Sequence, residues 1–312
     1  MPEARVVVFP GPGTLRRRRR VLGHLLAAPL AWLAAAPGAA SPDDLPDVPA
    51  APGSASARTR LHESAMAHGL TAWPRHRDLN ASFSSAWSPA SGWPPAETDE
   101  NDAAQLRLLP AAGLLATRHG RQDARPLRLR QAARPASAGH TDTPAASAQA
   151  PAQDPLAALD ADALRLLLLG PLAVLDGAQA VNWAAPATLD GRRCDQLVLT
   201  VAPGLGLAPE SRMALFIDRD VGLLRRLRLA PDAPISGWRG LAEVDFFDHF
   251  SLGGMVWPRR FQSPSRRWWP GGPAQNGRLT GLDLDRGYSA EALAGERWTA
   301  EAAAPAHPLP PA

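Results

Sequence analysis

Two rhythms of apolar and polar residues run along this chain, one helical and one extended, and most of the expected elements follow from them. Over residues 60–70, Leu61, Ala65, Met66 and Leu70 recur at helical spacing, and Gly69 is placed to close the helix. From Asp78 to Trp87 the period drops to two, apolar residues alternating with small polar ones, which predicts a strand. Residues 104–110 and 113–118 read as a strand pair about a turn at Pro110 to Gly113. Arg125 to Gln131 alternates again, with Leu127 and Leu129 on one face and Arg128 and Arg130 on the other. Residues 156–176 form a strongly apolar segment and predict a buried, acid-capped helix over Asp160 to Leu169, stopped by Gly170-Pro171.

Period two dominates residues 188–263. Asp190-Gly191 is a hairpin-turn pair, and residues 194–201 form the strand after it. Arg212 to Asp218, Leu223 to Leu229, Ala242 to Phe250 and Met255 to Phe261 follow as strands, with turns at Asp218 to Gly222 and at Gly253-Gly254. Short connections predict an antiparallel meander. Trp257-Pro258 suits an edge strand, where a missing N–H costs little. Such a sheet must bury one face, and two helices are enough to cover one side but too few to alternate with parallel strands. The expected fold class is therefore α+β: a curved antiparallel sheet, an unclosed β-barrel, with helices packed at its concave face.

One apolar run stands apart. Residues 21–40 carry no charge except at His24, follow the five arginines Arg16 to Arg20, and end in small residues. That order of basic, apolar and small residues is a secretory signal peptide with cleavage after Ala40. Its apolar part is interrupted by Pro29 and falls short of the roughly twenty residues that span a bilayer. The arginine run also contains the pair of a twin-arginine signal, which leaves two export routes open. Both place the protein in the periplasm or outside the cell, with no stable membrane span after cleavage.

Removing this segment changes the charge. The chain has 33 basic and 30 acidic residues, a formal net of +3. Residues 1–40 hold six arginines and one glutamate, so the remainder carries 27 basic and 29 acidic residues, a net of −2. The nucleic-acid reading invited by an isoelectric point near 10.2 is thereby excluded. Residues 41–57 predict a disordered lead-in and 301–312 a disordered tail. Between them, 58–300 read as one domain with mobile loops at 88–104 and 132–155.

Candidate chemistry is sparse. Cys194 is the single cysteine, so no intrachain disulfide forms, and it reads as a small strand residue facing the core. The densest polar cluster is Asp245, Asp248 and His249. On a regular strand Asp245 and His249 share one face and Asp248 takes the other, so convergence requires a bulge. Asp218 and Asp220 flank a turn and are placed to cap it. Asp283 and Asp285 share a strand face that reads as solvated. His62 and His68 sit six residues apart on the first helix, a poor spacing for a shared ligand. Nucleophile-elbow, zinc-protease, Walker and dinucleotide patterns do not occur, and no metal or other cofactor is expected.

A family resemblance emerges from three stretches. They are Asp190-Gly191…Cys194…Leu197-Val198-Leu199; then Leu215-Phe216-Ile217-Asp218…Val221-Gly222-Leu223-Leu224-Arg225-Arg226; then Phe246-Phe247-Asp248-His249-Phe250…Gly253-Gly254-Met255-Val256-Trp257-Pro258. This series resembles the periplasmic lipoprotein-carrier superfamily, the LolA-like proteins. Ala65 to Leu70 with Trp73 is similar to the opening helix of exported relatives. The resemblance implies a half-barrel whose concave apolar cavity shields a lipid or acyl chain, without catalytic residues. Each methylene buried there contributes roughly 0.8 kcal/mol, so such a site needs apolar area more than specific chemistry. Trp87, Phe216, Trp238, Phe246 and Trp257 are the residues expected to line it, since wide amphipathic rings suit the rim of a lipid site. Expected partners are the hydrophobic ligand or a lipoprotein acyl chain, and an envelope protein. Two other readings stand beside this one: an exported hydrolase built on Asp245, Asp248 and His249, and an envelope-sensing module that binds protein.

Overall fold

The computed structural model describes residues 54–84, 104–119, 125–128, 155–231, 242–263 and 275–294. The signal segment, the tail, most of the lead-in and nearly all of the two predicted loops lie outside the described residues.

Helix α1 spans Ala55–Ala67 and starts earlier than the apolar spacing predicts. Ser54 sets the start: its Oγ accepts the Ala57 N–H at 3.4 Å, which satisfies one of the orphan donors of the first turn. The helix buries Ala57, Leu61, Ser64 and Ala65. It ends as predicted by Gly69, whose φ of +102° favours glycine, and a Cβ there would stand 2.7 Å from Met255 Cα. Helix α2 spans Pro155–Leu169 and α3 spans Pro171–Val174. Asp160 thus lies inside α2 and does not cap it, while the stop at Gly170-Pro171 holds.

Twelve strands form one antiparallel sheet: β1 Leu79–Ser84, β2 Ala104–Leu109, β3 Leu114–His119, β4 Arg125–Arg128, β5 Ala178–Trp183, β6 Ala187–Leu189, β7 Arg192–Val201, β8 Ser211–Asp218, β9 Leu224–Pro231, β10 Ala242–Phe247, β13 Arg260–Ser263 and β14 Gln275–Leu284. A separate hairpin pairs β11 Phe250–Leu252 with β12 Met255–Trp257, and a short helix α4 covers Ala290–Ala294. The strand order is β4-β3-β2-β1-β14-β13-β10-β9-β8-β7-β5, with β6 also on β7. The path begins at β4 and ends at β5, which do not pair with each other, so the sheet is unclosed as expected.

The meander from β7 to β10 is present, but its last two predicted strands are each broken. Asp248 takes φ +53° after β10, and Pro258, which has no N–H to donate, separates β12 from β13. The segment between them folds out of the sheet as the β11–β12 hairpin. β13 lies between β10 and β14, whereas Trp257, expected on an edge strand, ends β12, whose one strand partner is β11. β14 joins the two halves of the sheet, pairing with β13 along Gln275–Arg278 and with β1 along Arg278–Leu284.

Alternation sorts the strand residues onto two faces. Leu197, Leu199, Met213, Leu215, Leu227, Val244 and Phe246 point inward with Leu79, Leu106, Leu279 and Leu282, and merge with α1, α2 and α3 into one core. The outer face of β7 to β10 is held by a small cluster of Cys194, Val198, Ala214 and Phe216 and by ion pairs across strands β9 and β10, Arg226 with Asp245 and Arg228 with Glu243. Cys194 is therefore buried as expected, on the outer side. Helix α4 packs on β3 and β4, and its Leu293 meets Leu109 and Ala116.

Candidate functional site

The inner face of the sheet is apolar from β1 across β14, β13, β10, β9 and β8 to β7, and separate short pieces cover it. Helix α2 lies over β2, β3 and β4; α1 lies against β5 and α3. α2 is apolar nearly all round, the mark of a helix buried on every side, and Leu159, Leu164 and Leu166 to Leu169 are each at most 4% exposed. Its polar pair, Asp162 and Arg165, supplies the ties. Asp162 Oδ2 accepts the Gly206 N–H at 2.8 Å, Oδ1 takes Arg165, and Arg165 Nη1 donates to Ala173 O at 3.1 Å. Replacing Asp162 with Ala is expected to cost about 1–2 kcal/mol through loss of the bonds from Gly206 N–H and Arg165, read as a lower urea midpoint with unchanged slope.

The β11–β12 hairpin is the second cover. Gly253 and Gly254 both take positive φ, as its two-residue turn requires. Val256 N–H donates to His68 O at 3.2 Å, and His76 bridges Gly253 O and Asp285 Oδ2, each at 2.8 Å. Met255 and Trp257 are thereby pressed into the core, and Trp257 Nε1 donates to Leu252 O at 3.0 Å.

Two histidines meet beneath this hairpin. His68 and His249 stack edge to face with ring centroids 6.3 Å apart. His68 Nδ1 lies 2.9 Å from Ser64 O, and Leu224 N–H donates to Nε2 at 3.4 Å, so the neutral ring satisfies both neighbours. Burial pushes both rings down to about 4, and the Arg225 guanidinium adds to the effect. Neutral imidazoles here act as packing groups. Among the described residues no cluster of three or more His, Cys, Asp and Glu side chains is placed to hold a metal ion.

The carboxylates that made a hydrolase worth weighing do not converge. Asp245 is taken by Arg226 on the outer face and Asp248 by Arg260, while His249 turns toward His68. The sequence expectation that Asp245 and His249 share a face fails because β10 ends at Phe247 and the positive φ at Asp248 rotates the chain. Asp218 caps its turn as predicted, accepting the Asp220 and Val221 N–H groups. These bonds, with Arg225, hold its carboxyl below the usual range against the cost of burial. Asp283 pairs with Arg286 and is almost fully buried, so it is no solvated edge residue. Asp285 leaves the strand line with φ +58° and binds His76.

Of the five side chains expected to line a ligand site, Phe246 and Trp257 lie in the inner core, fully enclosed. Phe216 faces the other way, into the outer cluster under Arg228, because Met213, Leu215 and Ile217 hold the inward positions of β8. Trp87 and Trp238 lie outside the described residues. Trp73 packs partly against the core and Trp183 is 44% exposed, its Nε1 donating to Ser56. In sequence His68 is weighed only as a ligand shared with His62, and the leucines of α2 only as a buried helix. The leucine run was the available signal for the helix, whereas the His68 environment depends on residues far along the chain.

No protein-family model and no curated protein matches the sequence. Among solved structures, the chain is similar to a DUF1329 family protein from Desulfovibrio piger ATCC 29098, with 13% identity and a TM-score of 0.40 over 76% of this chain and 95% of that one. It is similar to a LolA superfamily protein from Nitrosomonas europaea at 13% identity and a TM-score of 0.39, covering 76% and 96%. A domain from Vibrio parahaemolyticus described as an outer membrane lipoprotein-sorting protein follows at 10% identity and 0.34, covering 76% and 97%.

Proposed function

We propose that this is an exported cell-envelope protein that holds a hydrophobic ligand, a lipid or an acyl chain, against the inner face of its sheet and performs no chemistry on it. The carrying observation is the continuous apolar inner face, covered by separate short pieces: α2, α3 and the β11–β12 hairpin. Exchanging helix-to-sheet contact for ligand-to-sheet contact keeps apolar area out of water on both sides of the exchange. Phe246 and Trp257 would meet the ligand directly, with Trp87 and Trp238 as rim residues. The tie between Asp162 and Gly206 governs how readily α2 gives way. Partner and compartment follow from the same reading: a periplasmic or secreted protein that receives its ligand from an envelope protein or membrane.

Native mass spectrometry of the exported protein tests this. A co-purifying mass in the lipid or fatty-acid range, released by organic extraction, supports the reading. A protein that emerges empty and leaves the fluorescence of a labelled fatty acid unchanged overturns it.

A further inference from the structure

Five large apolar side chains are exposed among the described residues: Met66, Trp183, Leu207, Val221 and Leu252. Three of them gather at one end of the sheet, around the C-terminal end of α1. Val221 sits in the turn from β8 to β9, where Ser64 Oγ donates to Gly222 O at 2.7 Å. Met66 lies on the last turn of α1. Leu252 is at the tip of the β11–β12 hairpin, whose Gly254 approaches Ala72 and whose Met255 lies against Gly69.

Charge is unbalanced on the Leu252 side. His76 grips the hairpin tip at Gly253 O, and the residues on either side of it, Arg75 and Arg77, are exposed and enter no ion pair among the described residues. The nearby carboxylate of Asp285 is already taken by His76 and by the Arg77 backbone N–H at 2.7 Å. Asp220, beside Val221, opposes anions at the other tip, so Val221 falls outside the cationic part. An apolar side chain on a projecting turn, beside two exposed arginines of which Arg77 also acts on Asp285, suits the boundary between lipid headgroups and acyl chains. A stable protein interface would need on the order of 1,000 Å² of complementary surface, which isolated side chains on a rim do not offer.

We propose that the rim of Met66, Leu252, Arg75 and Arg77 docks the protein on a bilayer surface carrying anionic lipid. The same hairpin covers the inner face of the sheet, so docking would bring that cover against the membrane. The rim is an outer surface and its binding does not require the inner face to hold a ligand, so this proposal and the carrier reading fail independently.

Flotation of the exported protein with vesicles of phosphatidylcholine, with and without phosphatidylglycerol, tests it. The expected result is binding that needs phosphatidylglycerol and weakens at about 0.5 M salt, where exposed charges are screened. Arg75→Gln and Arg77→Gln should each weaken it about fivefold, and Leu252→Asn about tenfold. Leu207→Asn, which removes an equally exposed side chain elsewhere, should leave it unchanged. Absence of binding to anionic vesicles overturns the proposal, as does binding that survives Leu252→Asn combined with Arg75→Gln. So does retention by an acidic protein through these residues in the absence of vesicle binding, which would make the rim a protein interface.

Discussion

Lowering the pH from 6.5 to 4.5 is expected to strip several kcal/mol from the folded state, most of it before the carboxylates protonate in number. His68 and His249 are held neutral by burial, with folded values of about 4 against an ordinary 6.5. The unfolded chain therefore takes up protons first as the pH falls. The stabilising contribution is whole above 6.5 and is lost between 6.5 and about 4, at roughly 3 kcal/mol for each ring. Arg225 disfavours a charge on either ring and His68 disfavours one on His249, while Asp248 and the Leu224 backbone oppose this at His249 and the Ser64 backbone opposes it at His68. Urea unfolding at pH 7 and pH 4.5 reads the effect as a large drop in midpoint. His249→Phe keeps an edge-to-face ring against His68 and should remove about half of the drop. A midpoint that stays level across this interval would show that the rings are solvated.

Trp257→Ala should cost about 3–5 kcal/mol, the range for deleting a large buried aromatic side chain. Trp257 is 0% exposed, and its indole is the hairpin's main insertion into the core. Truncation also leaves Leu252 O without the Nε1–H that it accepts at 3.0 Å. Trp257→Phe separates the two losses: it keeps most of the apolar volume and should cost about 1–2 kcal/mol for the missing hydrogen bond. Thermal unfolding measures both. Hydrogen exchange at Val256, whose N–H bonds His68 O, reports whether the hairpin loosens before the sheet does. Unchanged stability in Trp257→Ala would remove the hairpin from the fold's core.

Local pattern made much of this architecture legible. The strand pair from β2 to β3 and its turn, the run from β7 to β10, the glycine closure of α1 and the Asp218 turn cap all rest on contacts between near neighbours, which alternation and turn chemistry report directly. Period two sorts the residues of β7 and β8 into two sets without saying which set faces inward. What failed was of a different kind. β14 is a strand by composition, yet its place between β13 and β1 depends on pairing across almost two hundred residues of chain, which no local pattern encodes. The site suffered in the same way. Phe216 and Phe246 both look like ligand-facing aromatics in sequence, and only the register that pairs Phe216 with Arg226 and Phe246 with Phe261 puts them on opposite faces.

The amino-acid sequence by itself determined that residues 41–312 are slightly acidic and that the body is a β-rich antiparallel structure with few helices. Composition and periodicity carry that information because hydrophobic burial acts on each element separately. Tertiary structure decided that the sheet runs from β4 to β5 through β14, that the hairpin holding Trp257 leaves the sheet to cover it, and that two histidines lose their water together beneath it. Those outcomes depend on which distant segments meet, and the free energy of a meeting belongs to the pair of surfaces and not to either stretch of sequence.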